Sequence, residues 1–225
     1  MTETPLAVIA RMHSDFPAKF GIPRQSGLVA ALSSVIVFEP AYRNPDCVRG
    51  LEDYSHLWLI WGFSAAKGWS PTVRPPRLGG NKRMGVFATR SPFRPNGLGL
   101  SSVKLEGVER DNQLGVVLRV SGADLLDDSP IYDVKPYLPY TDCHPEALCS
   151  PALRDDSPLT VEISPALQTL VPERHREALL GVLAHDPRPS YQEDPERMYG
   201  MTFAGMEVKF TVRNGTLAVQ RIEPL

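Results

Sequence analysis

The chain has 225 residues, 42% of them hydrophobic and 22% charged, with a formal net charge of −2 at pH 7. That length accommodates one large domain or one medium domain with a small appendage, and the composition argues against disorder. Met1 is followed by Thr-Glu-Thr-Pro without a basic region, and the most apolar run, His56 to Phe63, falls far short of the roughly 20 residues that cross a bilayer, so neither a signal peptide nor a membrane segment is expected.

Leu6 to Met12 reads as a first strand, followed by the loop Phe20 to Gly27 and a β-branched apolar stretch from Leu28 to Phe38. His56 to Phe63 has the length of a buried strand, though its periodicity alone does not separate strand from helix. Arg74 to Gly80 is a Pro/Gly loop, Met84 to Thr89 a short strand, and Ser101 to Val108 with Leu114 to Val120 an antiparallel pair; Ile131 to Tyr137 is a further strand. No long amphipathic helix precedes residue 160, and the 22 prolines, about double the usual share, suit short strands joined by shaped loops. The expected fold is mainly β: a compact antiparallel barrel or sandwich over 1–145, without the βαβ alternation of a Rossmann fold.

The stretch His144 to Pro158 is rich in Pro, Ser, Asp and Cys and marks a boundary. Beyond it, Ser164 and Pro165 form a helix start, and Ala166 to Leu183 carries helical periodicity. Asp186-Pro187-Arg188-Pro189-Ser190-Tyr191 stops that helix. Two hairpins follow, with turns at Ala204-Gly205 and Asn214-Gly215, so residues 158–225 are expected to be a small α+β domain.

Charge is segregated along the chain. From Tyr54 to Leu105 there is no Asp or Glu, whereas the same 52 residues hold eight cations: Lys67, Arg74, Arg77, Lys82, Arg83, Arg90, Arg94 and Lys104. The rest of the chain is net acidic. Such a distribution points to one basic face that attracts a polyanion, with dispersal of the cations around the fold as the alternative.

Several motifs fail. Gly97-x-Gly99 has Ser102 at the third small position of a dinucleotide fingerprint and no strand-to-helix unit around it. Cys143, His144 and Cys149 lack the paired spacing of a zinc site, so no metal is expected; the three cysteines, Cys47 included, are an odd number and fit a reducing cytoplasm. Two stretches survive. In Met84 to Asn96 a strand delivers Arg90, and two prolines stiffen a loop presenting Arg94, Phe93 and Asn96, with the planar guanidinium suited to phosphate or carboxylate. In Ser121 to Tyr137 an acidic turn leads into a strand on which Asp133 and Lys135 share a face, either as a proton-handling pair or as an ordinary surface ion pair.

Read together, Pro23-Arg24-Gln25, Leu51 to Trp58, Arg74 to Gly80, Gly85 to Asn96, Asp124 to Pro130 and Asp133 to Tyr137 resemble, in order, the TsaA-like (TrmO) family, and Asp186 to Tyr191 resembles the type with an additional C-terminal domain. The resemblance implies a β-barrel methyltransferase working as a cytoplasmic homodimer. It would use S-adenosylmethionine to methylate N6 of N6-threonylcarbamoyladenosine, next to the anticodon of tRNA. By the same resemblance the cofactor is contacted by Pro23, Arg24, Gln25, Arg90, Leu100 and Ser121, Gly122, Ala123 and Asp124, with Ser64 and Ala65 standing where the family often has a histidine. Asp133 and Lys135 are the candidate catalytic pair, and Arg77, Lys82, Arg83, Arg94 and Asn96 the candidate tRNA contacts. Two other readings compete: a non-catalytic RNA-binding module with the same basic face, and a small-molecule hydrolase using Asp133 and Cys143. Cofactor binding separates the first reading from both.

Overall fold

The computed structural model describes residues 5–75, 82–150, 158–188 and 194–225. Its N-terminal part contains β1 (Ala10–His13), β2 (Ser33–Phe38), β3 (His56–Gly62), a small ribbon of β4 (Thr72–Val73) and β5 (Met84–Gly85), then β6 (Leu98–Asp111), β7 (Gly115–Ser121) and β8 (Pro130–Pro136), with one helical turn, α1 (Pro139–Asp142), after it. Six of these strands close a ring in the order β1-β2-β7-β6-β3-β8, and β8 pairs back onto β1. Every pairing in the ring is antiparallel, and each strand has two hydrogen-bonded neighbours. Side-chain alternation drives the closure: Leu57 and Leu59 on β3 and Val103 and Leu105 on β6 are buried, with exposed or half-buried residues between them. Together with Met12, Ile36, Leu118 and Ile131 they fill the interior.

Three expectations about the strands need correction. The first strand begins at Ala10, not Leu6. The apolar run from Leu28 becomes strand only at Ser33, because Val29 and Leu32 turn away and are buried elsewhere. Met84 to Thr89 is strand for two residues only: its partner β4 is equally short, and the chain then coils into a single 3-10 turn at Val86–Ala88, closed by the Thr89 amide on the Val86 carbonyl.

The C-terminal part holds β9 (Thr160–Glu162), α2 (Pro165–Leu170), α3 (Glu173–Ala184), β10 (Tyr199–Phe203), β11 (Met206–Arg213) and β12 (Thr216–Pro224), with sheet order β10-β11-β12-β9. The single helix expected over 166–183 is two. Pro172 has no amide hydrogen to donate and disfavours helical geometry at the residue before it, so Val171 is extended and the chain restarts as α3. The Ser164 hydroxyl caps α2 through the Leu167 amide. Asn214 and Gly215 both have positive φ, 51° and 76°, as a type I′ hairpin requires. The parallel strand β9 was not legible, since three residues carry too little pattern.

The second core is not built from residues after 158 alone. Phe16, Val29 and Leu32, from the connection between β1 and β2, are buried in it beside Leu179, Leu183, Phe203 and Phe210. The connection that crosses from the ring to this second core also carries Pro23-Arg24-Gln25. No helix among the described residues is long and apolar enough to cross a membrane.

Candidate functional site

A cavity of about 600 Å3 opens where four parts of the chain meet: the loop 19–25, the end of β3 with the turn after it, the loop 89–94 with the start of β6, and the turn 124–129 that follows β7. Its aromatic wall depends on a missing side chain. Trp61 of β3 lies opposite Gly99 of β6, and a Cβ on Gly99 would sit 2.3 Å from the indole ring. Only glycine lets the indole lie across the neighbouring strand. From there Trp61 Nε1 donates to Ser101 Oγ at 2.9 Å, and Ser101 Oγ donates to Asp124 Oδ1 at 2.6 Å.

Asp124 is the electrostatic centre of this wall. Burial pushes its carboxyl above the usual range, opposed by the Ser101 hydroxyl, its own and the Ser26 backbone amides, and the charge of Arg90. On the facing side, Arg90 Nη1 donates to Gln25 Oε1, and Gln25 Nε2 donates to the Arg24 carbonyl. Arg94 Nη1 donates to the Thr89 carbonyl at 2.8 Å, with its guanidinium 6.0 Å from the Phe87 ring centroid. Ser129, in the same lining, has a buried hydroxyl without a hydrogen-bond partner among the described residues. Such an orphaned group suits a wall that meets a polar ligand.

The structure brings Pro23, Arg24, Gln25, Ser64, Ala65, Arg90, Leu100 and Asp124 to this one cavity, and Arg94 with them. Ser121, Gly122 and Ala123 do not line it. The Ser121 hydroxyl donates to Glu106 at 2.6 Å, the Gly122 amide donates to the Leu32 carbonyl, the Gly122 carbonyl accepts from the Gly27 amide at 2.8 Å, and Ala123 is buried. Gly122, through both its backbone groups, fastens the loop bearing Gln25 to the ring. Gly122 has φ +73°, and a Cβ there would lie 3.3 Å from Gly27.

Asp133 and Lys135 do share a face of β8, with 3.1 Å between Oδ2 and Nζ, but Asp133 is half-buried, Lys135 is exposed, and both lie outside the cavity lining. They lie in register with Ile60 and Trp58 of β3. Trp58 borders the cavity and donates from Nε1 to Asp142 at 2.8 Å. Lys82 and Arg83 are exposed beside the β4–β5 ribbon, Arg83 donating to the Thr72 hydroxyl at 2.7 Å; Asn96 is exposed and away from the cavity. Arg77 lies outside the described residues. The described residues of the basic segment between β3 and β6 leave from two paired strands, at a neck closed by the Phe63 amide on the Gly97 carbonyl. Among the described residues no ion pair with an acid holds Lys67, Arg74, Lys82 or Arg83.

The family model of the tRNA-methyltransferase O N-terminal domain matches residues 11–143, and that of the TrmO C-terminal domain matches residues 156–225. The chain belongs to the tRNA-methyltransferase O family. It is 40% identical over 230 residues to the tRNA (adenine(37)-N6)-methyltransferase of Escherichia coli K12, covering 96% of each chain. It is 35% identical over 138 residues to a "Probable S-adenosyl-L-methionine-binding protein" of Pyrococcus abyssi, covering 61% of this chain and 68% of the relative. A crystal structure of TrmO from Pseudomonas aeruginosa superposes with a TM-score of 0.84 at 32% identity, covering 100% of this chain and 99% of that one.

As a TrmO family member the chain is a methyltransferase, and its cavity contains residues that sequence reasoning did not single out: Trp58, Trp61 and Phe63 on the aromatic wall, and Ser101 and Ser129 beside Asp124. Trp58 and Trp61 are three apart on a strand, a spacing that ordinarily sends side chains to opposite faces. Nothing in the local pattern joins them to one cavity. Gly99 opposite a tryptophan was the available signal, because glycine inside a strand often marks close approach.

Proposed function

We propose that this chain transfers a methyl group from S-adenosylmethionine to N6 of adenosine 37 in tRNA, with N6-threonylcarbamoyladenosine as the base that is modified. The observation that carries the reading is the cavity itself: a half-buried carboxylate, a guanidinium–amide pair and an aromatic wall converge in about 600 Å3, within the roughly 300–1,000 Å3 of small-molecule and cofactor pockets. The names of the related E. coli and P. abyssi proteins supply the reaction and the cofactor class.

The donor set fits that cofactor. Asp124 faces an amine or a ribose hydroxyl, and Arg24 and Arg90 suit an amino-acid carboxylate. Trp61 and Phe63, with ring centroids 4.4 Å apart, offer an apolar wall whose π faces favour positive charge. When bound, S-adenosylmethionine supplies an electrophilic methyl group on a positively charged sulfur. The chain's part is largely alignment, which contributes up to about 7–11 kcal/mol in well-oriented reactions. The threonylcarbamoyl group makes N6 part of a urea, whose proton is easier to remove than that of a plain exocyclic amine. Lys135 then holds the substrate carboxylate or a carbonyl, and Asp133 orients Lys135 or accepts the N6 proton. Trp58, between this pair and the cavity, gives the target base a surface to lie on.

The basic excursion beside the cavity suits the phosphates of the anticodon arm, and exposed Phe87 and Trp69 suit its unpaired bases. In the same reading the strand ring is the β-barrel of the family, the enzyme works in the cytoplasm where tRNA is found, and exposed Phe93 and Leu100 belong to a homodimer contact near the cofactor. A module that only binds RNA has no use for the partly buried carboxylate of Asp124.

The test is methyl transfer in vitro. The purified chain with methyl-labelled S-adenosylmethionine is given tRNA with and without the threonylcarbamoyl group, and the nucleosides are resolved by mass spectrometry. Label on threonylcarbamoyladenosine alone is the expected result. Label on plain adenosine, or none, contradicts the assignment.

A further inference from the structure

The loop that brings Pro23, Arg24 and Gln25 to the cavity is mounted on the C-terminal part of the chain. Phe16 packs on Phe203 with ring centroids 5.4 Å apart, and the Ala204 amide donates to the Asp15 carbonyl. The Asp15 carboxylate lies 3.2 Å from His175 Nδ1 of α3. Gly21, with φ +99°, sits so close to Met201 that a Cβ would fall 2.3 Å from its sulfur. Gly181 of α3 likewise makes room for Val29, whose Cγ1 would be 2.6 Å from an added Cβ.

Arg24 is reached from the same side. Its Nη2 donates to the backbone carbonyl of Arg188 at 3.2 Å and to that of Asp186 at 3.5 Å. These carbonyls belong to a self-closed hook just after α3. Asp186 is left-handed, with φ +47°, and its carboxylate accepts from the Arg188 amide at 3.2 Å, from Nε at 2.8 Å and from Nη2 at 2.9 Å. The Arg188 guanidinium rests 5.8 Å from the Tyr199 ring centroid. A forked arginine–carboxylate pair fixes both partners in one plane, so the hook presents its carbonyls in a set direction.

We propose that Asp186 and Arg188 are positioning residues for the cofactor site: by turning two carbonyls onto Arg24, they hold its guanidinium at the cavity wall. The inference rests on the reading of that cavity as the S-adenosylmethionine site. It gives the C-terminal domain a role in the chemistry that is separate from any contact with tRNA. The carbonyl oxygens offset part of the cost of bringing a guanidinium to a partly buried wall, and they fix its plane before ligand arrives. Asp186 suits the hook doubly, because aspartate tolerates positive φ better than most residues and supplies the carboxylate that closes the fork.

The experiment uses the full chain and S-adenosylhomocysteine as the probe, with calorimetry for cofactor affinity, filter binding for tRNA, and thermal unfolding without ligand. Asp186→Asn keeps the tolerance for positive φ and removes the charge; Arg188→Lys keeps a cation near Tyr199 but cannot form the fork. Each is expected to weaken S-adenosylhomocysteine binding about tenfold while tRNA affinity stays within about twofold, and in an Arg24→Ala background Asp186→Asn should change little further, since residues acting through one another are not additive. Wild-type binding with unchanged affinity in both variants overturns the proposal alone. Full additivity in the double variant also overturns it, as does a loss confined to tRNA. Absence of binding by the wild-type chain overturns the cavity reading beneath it.

Discussion

The Ser101 hydroxyl donates to Asp124 across 2.6 Å while accepting from Trp61 Nε1 at 2.9 Å, so one serine joins the aromatic wall of the cavity to its carboxylate. Ser101 is buried, and its register on β6 is fixed by pairing with Leu59 of β3. Ser101→Ala leaves a buried indole N–H without its acceptor and removes one of the donors to the Asp124 carboxylate, a loss of about 1–3 kcal/mol of folding stability. For a chain of this size that lowers the melting temperature by about 2–4 °C per kcal/mol. Thermal and urea unfolding without ligand measure it directly; an unchanged midpoint contradicts the bond.

Asp124 gives stability and binding opposite signs. Its folded carboxyl titrates above the ordinary value of 3.8, chiefly because burial penalises the charge. Between the unfolded and folded values the native state keeps a proton that the unfolded chain has released, so this group's contribution to stability falls as pH rises through that window. Above the folded value the cost persists undiminished. Ligand-free Asp124→Asn should therefore melt at or above wild type at pH 7, yet bind S-adenosylhomocysteine about tenfold more weakly, a loss of about 1.4 kcal/mol. In the wild type, binding that needs the carboxylate should weaken on acidification at a higher pH than an ordinary aspartate produces. A variant that both melts lower and binds normally reverses both signs.

Charge reversal at Lys82 and Arg83 tests the basic excursion. Both side chains are exposed, and among the described residues neither has an acidic partner, so reversal should leave the melting temperature unchanged. Affinity for tRNA should fall, and the slope of log affinity against log salt should flatten by about one unit for each phosphate that is no longer neutralised. Equal affinity of variant and wild type at two salt concentrations contradicts the assignment.

Local pattern was enough to see the β6–β7 pair and the Asn214–Gly215 hairpin, because alternation and turn chemistry are local signals, while β3 was legible as a short apolar run of strand length that helix could also have filled. The residue-by-residue resemblance also named part of the cavity lining, Pro23, Arg24, Gln25, Arg90 and Asp124 among it. What it could not show depends on distance along the chain. Trp61, Gly99, Ser101 and Asp124 meet only through strand register. Val29 and Leu32, within a stretch that reads as strand, belong instead to the second core, together with Phe16. The helical spacing of Ala166 to Leu183 runs across Pro172 without a gap, whereas the missing amide hydrogen of that one residue divides the segment into α2 and α3.

Asp133 and Lys135 separate folding from chemistry. Their ion pair at 3.1 Å is exposed and contributes only about 0–1 kcal/mol to stability. Asp133→Asn and Lys135→Ala should melt near wild type and bind S-adenosylhomocysteine normally, yet lose about tenfold or more in single-turnover methylation of threonylcarbamoylated tRNA, equivalent to about 1.4 kcal/mol of transition-state stabilisation. Wild-type rates in both variants make the pair a surface ornament of β8.

If the cavity between Arg90 and Asp124 holds S-adenosylmethionine, calorimetric titration of the wild-type chain and of Arg90→Ala with S-adenosylhomocysteine separates the two proteins. Arg90 is exposed and contacts Gln25 rather than the core, so its removal should leave the fold intact. The expected result is saturable binding by the wild type and an affinity about tenfold lower in the variant, a difference of about 1.4 kcal/mol. No heat of binding by the folded wild-type chain at millimolar ligand, or equal affinity in both proteins, contradicts it.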